Sequence, residues 1–512
     1  MKPRVAGLAT VGPRTERALV AFVHENAALL AITTAFAVLA YGYALTDPTP
    51  SLDEETAPTF AELGRANGWS VALYRWGLVA FQLTVLPGSS LPFLRLLLAV
   101  GLLSLTAVVY ARILPATRSA QAFFAVVFVT VPTFAYAMTF SFMCVEFVLA
   151  ILLFVLGLHC FVDVTRGPRV DARTLVPALV LWVAAPSFYQ DYGVVLTAFL
   201  VYAFFRVAAG DGIGDVTRQT LWFGATLLVA VVVYGLLSFV IARAAGVGTG
   251  AYLVDYVAPK RTSAVLAQFV RRMRGFYFHP SIYGTDAVRL AALALPLLGA
   301  SVRGSPGRRA LLALLGVVIA IAPFAYGLGI VPPIRAASGL MFLAAGAAAF
   351  AVSRSGPSTA LAVKLAVMWV ALQGCVTINN MFRYESIAWE ADRLVAADLA
   401  RRIHDVAPDV HDSPAVRVVF AGSLRRSLSD ALPGPDFWVG MFETWGQNKT
   451  LRRKRAMVLA GFPDFRLGSA ADYEANRTRI DSMPAWPASG AVARQGDLVL
   501  VKLGPANGFA IQ

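Results

Sequence analysis

The stretch "LLAITTAFAVLAYGYAL" fills residues 29–45, and "TPSLDEETAP" follows at 49–58. An α-helix advances 1.5 Å per residue, so roughly 20 apolar residues cross the ~30 Å hydrocarbon layer of a bilayer, and 27–46 supplies that length. Directly after it, Asp53, Glu54 and Glu55 stand side by side. Carboxylates at the edge of lipid serve either as solvated punctuation or as chemistry. The rest of the chain has to decide between them.

The whole chain repeats the first pattern. Of 512 residues 58% are hydrophobic and only 14% charged, with a mean hydropathy of +0.65. That is more apolar surface than one globular core can hide, so lipid is part of the solvent. The net charge of +14 and pI near 9.9 belong to short loops between apolar runs. There they orient a membrane protein toward the anionic inner leaflet, and they do not point to nucleic acid. Cys144, Cys160 and Cys375 lie scattered inside apolar runs, which excludes a disulfide framework and a cysteine metal site. The basic start at 1–26 leads into a full-length span without a small-residue cleavage site, so the first span reads as an uncleaved anchor.

Span candidates are 27–46, 91–111, 120–138, 143–162, 174–187, 193–208, 219–242, 286–301, 310–328, 336–352 and 361–380. This count of about eleven puts the two chain ends on opposite sides. With the N-terminal segment 1–26 in the cytoplasm, the inner loops collect sixteen lysines and arginines. The short outer segments then hold Arg65, Arg75 and Arg335, with six more lysines and arginines in the single loop 243–285. The segment "SVALYRWGLVAFQLTVL" at 70–86 carries Arg75 and Gln82 at helical spacing, and counting it as a span would reverse every later loop. It therefore reads as an interfacial helix. Beyond 380 the composition shifts: 387–406 is an amphipathic helix, and "VRVVFAGS" and "GDLVLVKLG" are strands. The expected fold is an α-helical polytopic membrane protein, spanning 27–380 with an acidic first outer loop at 47–90, plus a small extracytoplasmic α/β domain at 381–512.

Sorted by side, the unusual polar residues gather on the outer face. "PSFYQDY" at 186–192 packs Tyr189, Gln190 and Asp191 into one turn, and "FVRRMRGFYFHP" at 269–280 carries Arg271, Arg272 and Arg274. Guanidinium groups bind phosphate oxygens bidentately, so this basic loop suits a lipid phosphate, or merely the anionic headgroups around it. Arg335 in "VPPIRAASG" has the same two readings. Moving a sugar from phosphate to a hydroxyl needs a base for the acceptor proton, a role for Asp or Glu, and cations for the departing phosphate. Against this, Ser51 and Glu54 fit an S-x-x-E capping box, which would make the acidic run a helix start. Glu146, at the outer end of a span, either lines a cavity or reaches the interface.

Five motifs in order carry a resemblance: Asp53-Glu54, "YRW" at 74–76, "YQ" at 189–190, "NNMFRYESIAWEADRLVAADLARRI" at 379–403 leading into "VRVVFAGS", and "MPAWPASGAVARQGDLVLVKL" at 483–503. Together they resemble the GT-C class of membrane glycosyltransferases and, within it, the GtrII-type glucosyltransferases, which include phage-borne enzymes that glucosylate O-antigen. Tyr74 departs from the family's usual Gly, and Glu54 stands where a second Asp is common. The resemblance implies an inverting hexosyltransferase of the bacterial inner membrane, with its C-terminal domain in the periplasm. Its donor would be a polyprenyl-phosphate-linked sugar, most simply glucose, and its acceptor a surface polysaccharide such as lipopolysaccharide or a lipid-linked glycan. A donor synthase and a flippase would be its partners. Asp53 would be the base and Glu54 its neighbour. Arg75, Arg271, Arg272, Arg274 and Arg335 would face the donor phosphate, and Tyr189, Gln190 and Asp191 the sugar or acceptor cleft. The acidic cluster could hold a divalent cation, although a monophosphate leaving group does not demand one. Two rival readings are a multi-span carrier and a non-catalytic envelope-assembly protein. A carrier places its polar groups on broken helices near the midplane, whereas here they collect at one edge.

Overall fold

The computed structural model describes residues 13–49, 68, 70–86, 92–140, 142–167, 170–248, 262–278, 284–324, 337–424, 442 and 450–505. The chain divides into two units. The first holds the helices up to Asn380, and the second begins at Met381 and includes Asp47.

The helical unit contains α1 (Pro13–Thr46), α2 (Trp76–Thr84), α3 (Pro92–Ile113), α4 (Arg118–Thr130), the short α5 (Ala135–Met138), α6 (Cys144–Thr165), α7 (Val176–Phe188), α8 (Tyr192–Ala209), α9 (Ile213–Ala244), α10 (Thr262–Phe278), α11 (Asp286–Ala300), α12 (Pro306–Ile321), α13 (Gly339–Arg354) and the first part of α14 (Ala360–Val406). Among the described residues eight helices are long and apolar enough to cross a membrane. Three expected spans fall on the shorter α7, α11 and α13, of 13, 15 and 16 residues.

Helix α9 shows what solvent these helices were selected for. Its buried face reads Gln219, Phe223, Thr226, Ala230, Tyr234 and Ser238 at steps of three and four, while Leu221, Leu228, Leu236 and Val240 are exposed. A helix in water turns its apolar stripe inward. This one turns its polar groups inward and leaves leucine and valine outside, which is stable only where the surroundings are themselves apolar. The chain is a membrane protein.

Between such helices lipid gives little hydrophobic drive, so close packing and interior hydrogen bonds hold the bundle. Gly157 and Gly374 have no room for a Cβ, because Trp182 and the Thr130 carbonyl, respectively, fill that space. At the centre Tyr110, Phe124, Phe128 and Phe342 form an aromatic cluster with ring centroids 4.8 to 5.7 Å apart, and Tyr110 donates to the Ala198 carbonyl at 2.6 Å. Asn379 ties α14 to α1, accepting from Tyr43 N–H at 2.8 Å and donating to the Leu39 carbonyl at 2.8 Å.

The second unit is an α/β layer. Strands β1 (Arg417–Ala421), β2 (Arg466–Leu467), β3 (Val492–Gln495) and β4 (Leu498–Lys502) form one sheet in the order β2-β1-β4-β3. β1 lies parallel to both β2 and β4, and β3 and β4 form an antiparallel hairpin. The tight β3–β4 turn uses Gly496 at φ 57°. Val395, Leu399 and Ile403 of α14 pack in one core with Val418, Phe420, Val499 and Val501, so the amphipathic stripe read from 387–406 covers the sheet. Leu394, on the same helix, is exposed. Helix α15 (Thr450–Leu459) completes this core, and the short α16 (Ala470–Ala475) and α17 (Arg477–Ser482) lie toward the other face, where Tyr473 and Ile480 pack on Val419 and Leu500. Two polar ties fix the edges: Arg494 forks onto Asp409, and Trp486 Nε1 donates to Asp398 Oδ2 at 2.8 Å.

Candidate active site

The segment 70–86 does not form one helix. It breaks at Tyr74, whose φ of 63° puts it in the left-handed region, and α2 resumes at Trp76. A side chain in that region crowds its own carbonyl, at a cost of roughly 1–2 kcal/mol, and only glycine escapes it. A glycine here, which the resemblance leads one to expect, would carry no such cost. The break turns Arg75 out of the helical path, and three side chains hold it open. Tyr234 O–H donates to the Tyr74 carbonyl at 2.9 Å, Gln190 Nε2 donates to the Leu73 carbonyl and to Tyr234 Oη, and Trp76 Nε1 donates to Ser238 Oγ at 3.1 Å.

Arg75 lies in this clamp. Its Nε donates to Gln190 Oε1 at 3.2 Å, and its guanidinium stands 5.0 Å from the centre of the Tyr189 ring. One edge of the fork and one face are therefore fixed, while the terminal nitrogens make no hydrogen bond among the described residues. A cation fixed in direction with donors to spare is suited to an anionic ligand. Gly77 lets α2 approach α7 closely enough for this arrangement, since a Cβ there would overlap Ser187 Oγ.

Asp191 differs from its neighbours in the turn. It is 2% exposed, and its Oδ2 accepts the Ser338 N–H at 3.0 Å, tying the start of α8 to the start of α13. Burial pushes its carboxyl up to about 7, against the pull of the Ser338 hydrogen bond. Its Oδ1 is buried without a partner.

A second polar knot lies at the starts of α3 and α6. Arg95, 1% exposed, donates to Glu146, 0% exposed, at 2.6 Å, and also to the carbonyls of Leu86 and Phe142. Gln82 Nε2 reaches the same Phe142 carbonyl at 3.1 Å. Glu146 therefore neither lines an open cavity nor reaches the interface, as its sequence position suggested. Arg95 was not singled out from the sequence because a lone arginine near a span start reads as headgroup anchoring. Tyr234, Ser238 and Ser338 were missed for a similar reason, since hydroxyls inside spans carry no pattern of their own.

The expected site residues fall into three groups. Arg75, Tyr189 and Gln190 come together, and Asp191 lies beside them, turned into the bundle. Arg274 lies exposed on α10, whose backbone also carries Arg271 and Arg272; the side chains of these two lie outside the described residues. Asp53, Glu54, the Ser51–Glu54 capping box and Arg335 also lie outside the described residues. No group of three or more His, Cys, Asp or Glu stands together as a metal site among the described residues.

The family model for glucosyl transferase GtrII matches residues 42–325. The chain belongs to the GtrII glucosyltransferase family. No curated protein and no solved structure matches it. The match runs from the end of α1 to the end of the apolar segment that begins with α12, and so contains the acidic run, the "YRW" break, the "YQD" turn and the polar face of α9. A GtrII glucosyltransferase needs a sugar donor and a glycan acceptor.

Proposed function

We propose that the protein transfers glucose from a polyprenyl-phosphate carrier to a surface glycan on the outer face of the bacterial inner membrane, with about eleven spans of GT-C type, a cytoplasmic N-terminus and a periplasmic C-terminal unit. The observation that carries this reading is the clamp on Arg75. It joins two segments that the alternation of spans assigns to one side, and it leaves donors free for a phosphate. The polar groups of the bundle follow the same logic. The Arg75 clamp, the Asp191–Ser338 tie and the Arg95–Glu146 pair all involve helix ends assigned to that side. Ser386 Oγ also donates to Asp47, the first residue past α1, at 2.6 Å, which favours a first loop and a second unit on one side.

In the reaction, Asp53 accepts the acceptor hydroxyl proton as the new oxygen–C1 bond forms. The C1–oxygen bond to phosphate breaks on the opposite face, its electron pair leaves with the polyprenyl phosphate, and the anomeric carbon inverts. Glu54 supports the base electrostatically. Arg75 stabilises the charge that builds on the leaving phosphate, with Arg271, Arg272, Arg274 and Arg335 as further cations for the carrier. Tyr189 and Gln190 hold Arg75 in line and border the sugar. A leaving group of one phosphate does not by itself demand a divalent cation, and the acidic run at 53–55 is where one would bind.

The test is mass analysis of the surface polysaccharide from cells carrying wild type, Asp53→Asn or Arg75→Ala at matched membrane levels. Loss of the added hexose in both variants is expected. Unchanged hexose content with Asp53→Asn removes the base, and unchanged content with both removes the proposal.

A further inference from the structure

Helix α15 opens "TLRRKR" at 450–455, with four cations in succession. Lys454 is paired with Asp464 at 2.7 Å. Arg453 is different. It is 2% exposed, its Nη1 is buried without a hydrogen-bond partner, and it forms no ion pair among the described residues. Three residues earlier Thr450 is 0% exposed, and its Oγ1 is equally buried and unpartnered.

Residues three apart share a helix face, and helical side chains lean toward the N-terminus, so Arg453 extends back over the turn that Thr450 opens. The first N–H groups of a helix have no acceptor within it, and the helix dipole makes that end positive. A guanidinium and a hydroxyl, both buried and unpartnered among the described residues, thus share one face at the start of this helix. A buried cation without a counter-charge is costly, and burial pushes the Arg453 guanidinium down to about 10, the response of a cation lacking compensation. The donor set calls for a ligand with several acceptor oxygens and negative charge, and a tetrahedral oxyanion meets both kinds of donor at once.

We propose that the N-terminal turn of α15, through Thr450 and Arg453, is a binding site for a phosphate-class oxyanion in the C-terminal unit. The site lies within the second unit, and its argument does not rest on the glucosyl-transfer proposal. The phosphate comes either from a lipid headgroup or from a soluble or glycan-borne phosphate, and one experiment separates these sources.

The full chain in neutral detergent is titrated with inorganic phosphate against chloride at matched ionic strength, and amide hydrogen exchange is followed in the 450–459 peptide. The expected result is saturable slowing of at least about tenfold in wild type. Arg453→Met should abolish it, Thr450→Val should weaken it, and Arg453→Lys, which keeps the charge without the fork, should retain only part. The chain in nanodiscs with phosphatidic acid, compared with phosphatidylcholine alone, reads the lipid source. Slowing by phosphatidic acid assigns the lipid, slowing by inorganic phosphate alone assigns the soluble group, and either supports the site. Absence of slowing in wild type under both conditions overturns the proposal. So does equal slowing in Arg453→Met, and should that variant fail to fold, equal slowing in Arg453→Lys and Thr450→Val does the same.

Discussion

Arg75 Nε donates to Gln190 Oε1 at 3.2 Å across a sequence separation of 115 residues. The same Gln190 amide donates to the backbone and hydroxyl that keep the "YRW" break open, so one side chain sets both the position of Arg75 and the turn that presents it. Gln190→Leu should leave the protein in the membrane yet lower hexose transfer by about 10- to 100-fold, the scale of one or two lost positioning hydrogen bonds. Arg75→Lys should fall at least as far, because the ammonium cannot hold Gln190 and a ligand together. Transfer by purified protein to an acceptor glycan checks both, and wild-type rates in Gln190→Leu would show that the clamp is irrelevant.

Tyr74 occupies a backbone conformation that penalises every side chain, and β-branched ones most. Tyr74→Gly should be tolerated, with strain relief of about 1 kcal/mol offsetting lost side-chain packing. Tyr74→Val should be less stable than Tyr74→Gly by about 2 kcal/mol. Thermal unfolding in detergent gives the order, and the reverse order would contradict the left-handed assignment.

The buried pair of Arg95 and Glu146 predicts strong non-additivity. Arg95→Met leaves a carboxylate alone in the bundle and should cost about 3–5 kcal/mol, seen as low membrane yield and early melting. Adding Glu146→Leu to Arg95→Met should recover most of the loss, since an apolar pair needs no compensation. A double variant as unstable as the sum of the two singles would mean that the pair acts through something other than mutual neutralisation.

Asp191 carries a pH signature. Its folded carboxyl titrates at about 7, above the ordinary 3.8, so between these values the folded state holds a proton that the unfolded chain has lost. Its contribution to stability is therefore fully present below 3.8 and is lost as pH rises through about 7, by at most about 4 kcal/mol. Asp191→Asn keeps an acceptor for the Ser338 N–H and should flatten this slope. Melting midpoints between pH 4 and 8 decide it, and an unchanged slope in Asp191→Asn would assign the titration elsewhere.

Some of this architecture was legible in the chain. The stripe Val395, Leu399 and Ile403 reads as a helix face, "RVVFA" and "LVLVK" as strands, and long runs such as 144–165 as membrane helices, because each is written in local periodicity and length. The break at Tyr74 was not legible. A tyrosine carries no turn signal, and its left-handed φ is imposed by Tyr234 and Gln190, which are distant in sequence. The short helices α7, α11 and α13 blurred the count of spans for a related reason, since hydropathy measures apolar length and not where a helix stops.

Sequence alone determined the apolar solvent and the long helices that meet it, because these follow from composition and period, both of them sums over neighbours. Only the tertiary structure decided which polar residues meet. Arg75 found Gln190, Arg95 found Glu146, and Arg453 found no partner among the described residues. Direction and pairing of a buried charge depend on contacts between helices far apart in the chain, and in a low-dielectric interior the difference between a pair and a lone ion outweighs anything local propensity can encode.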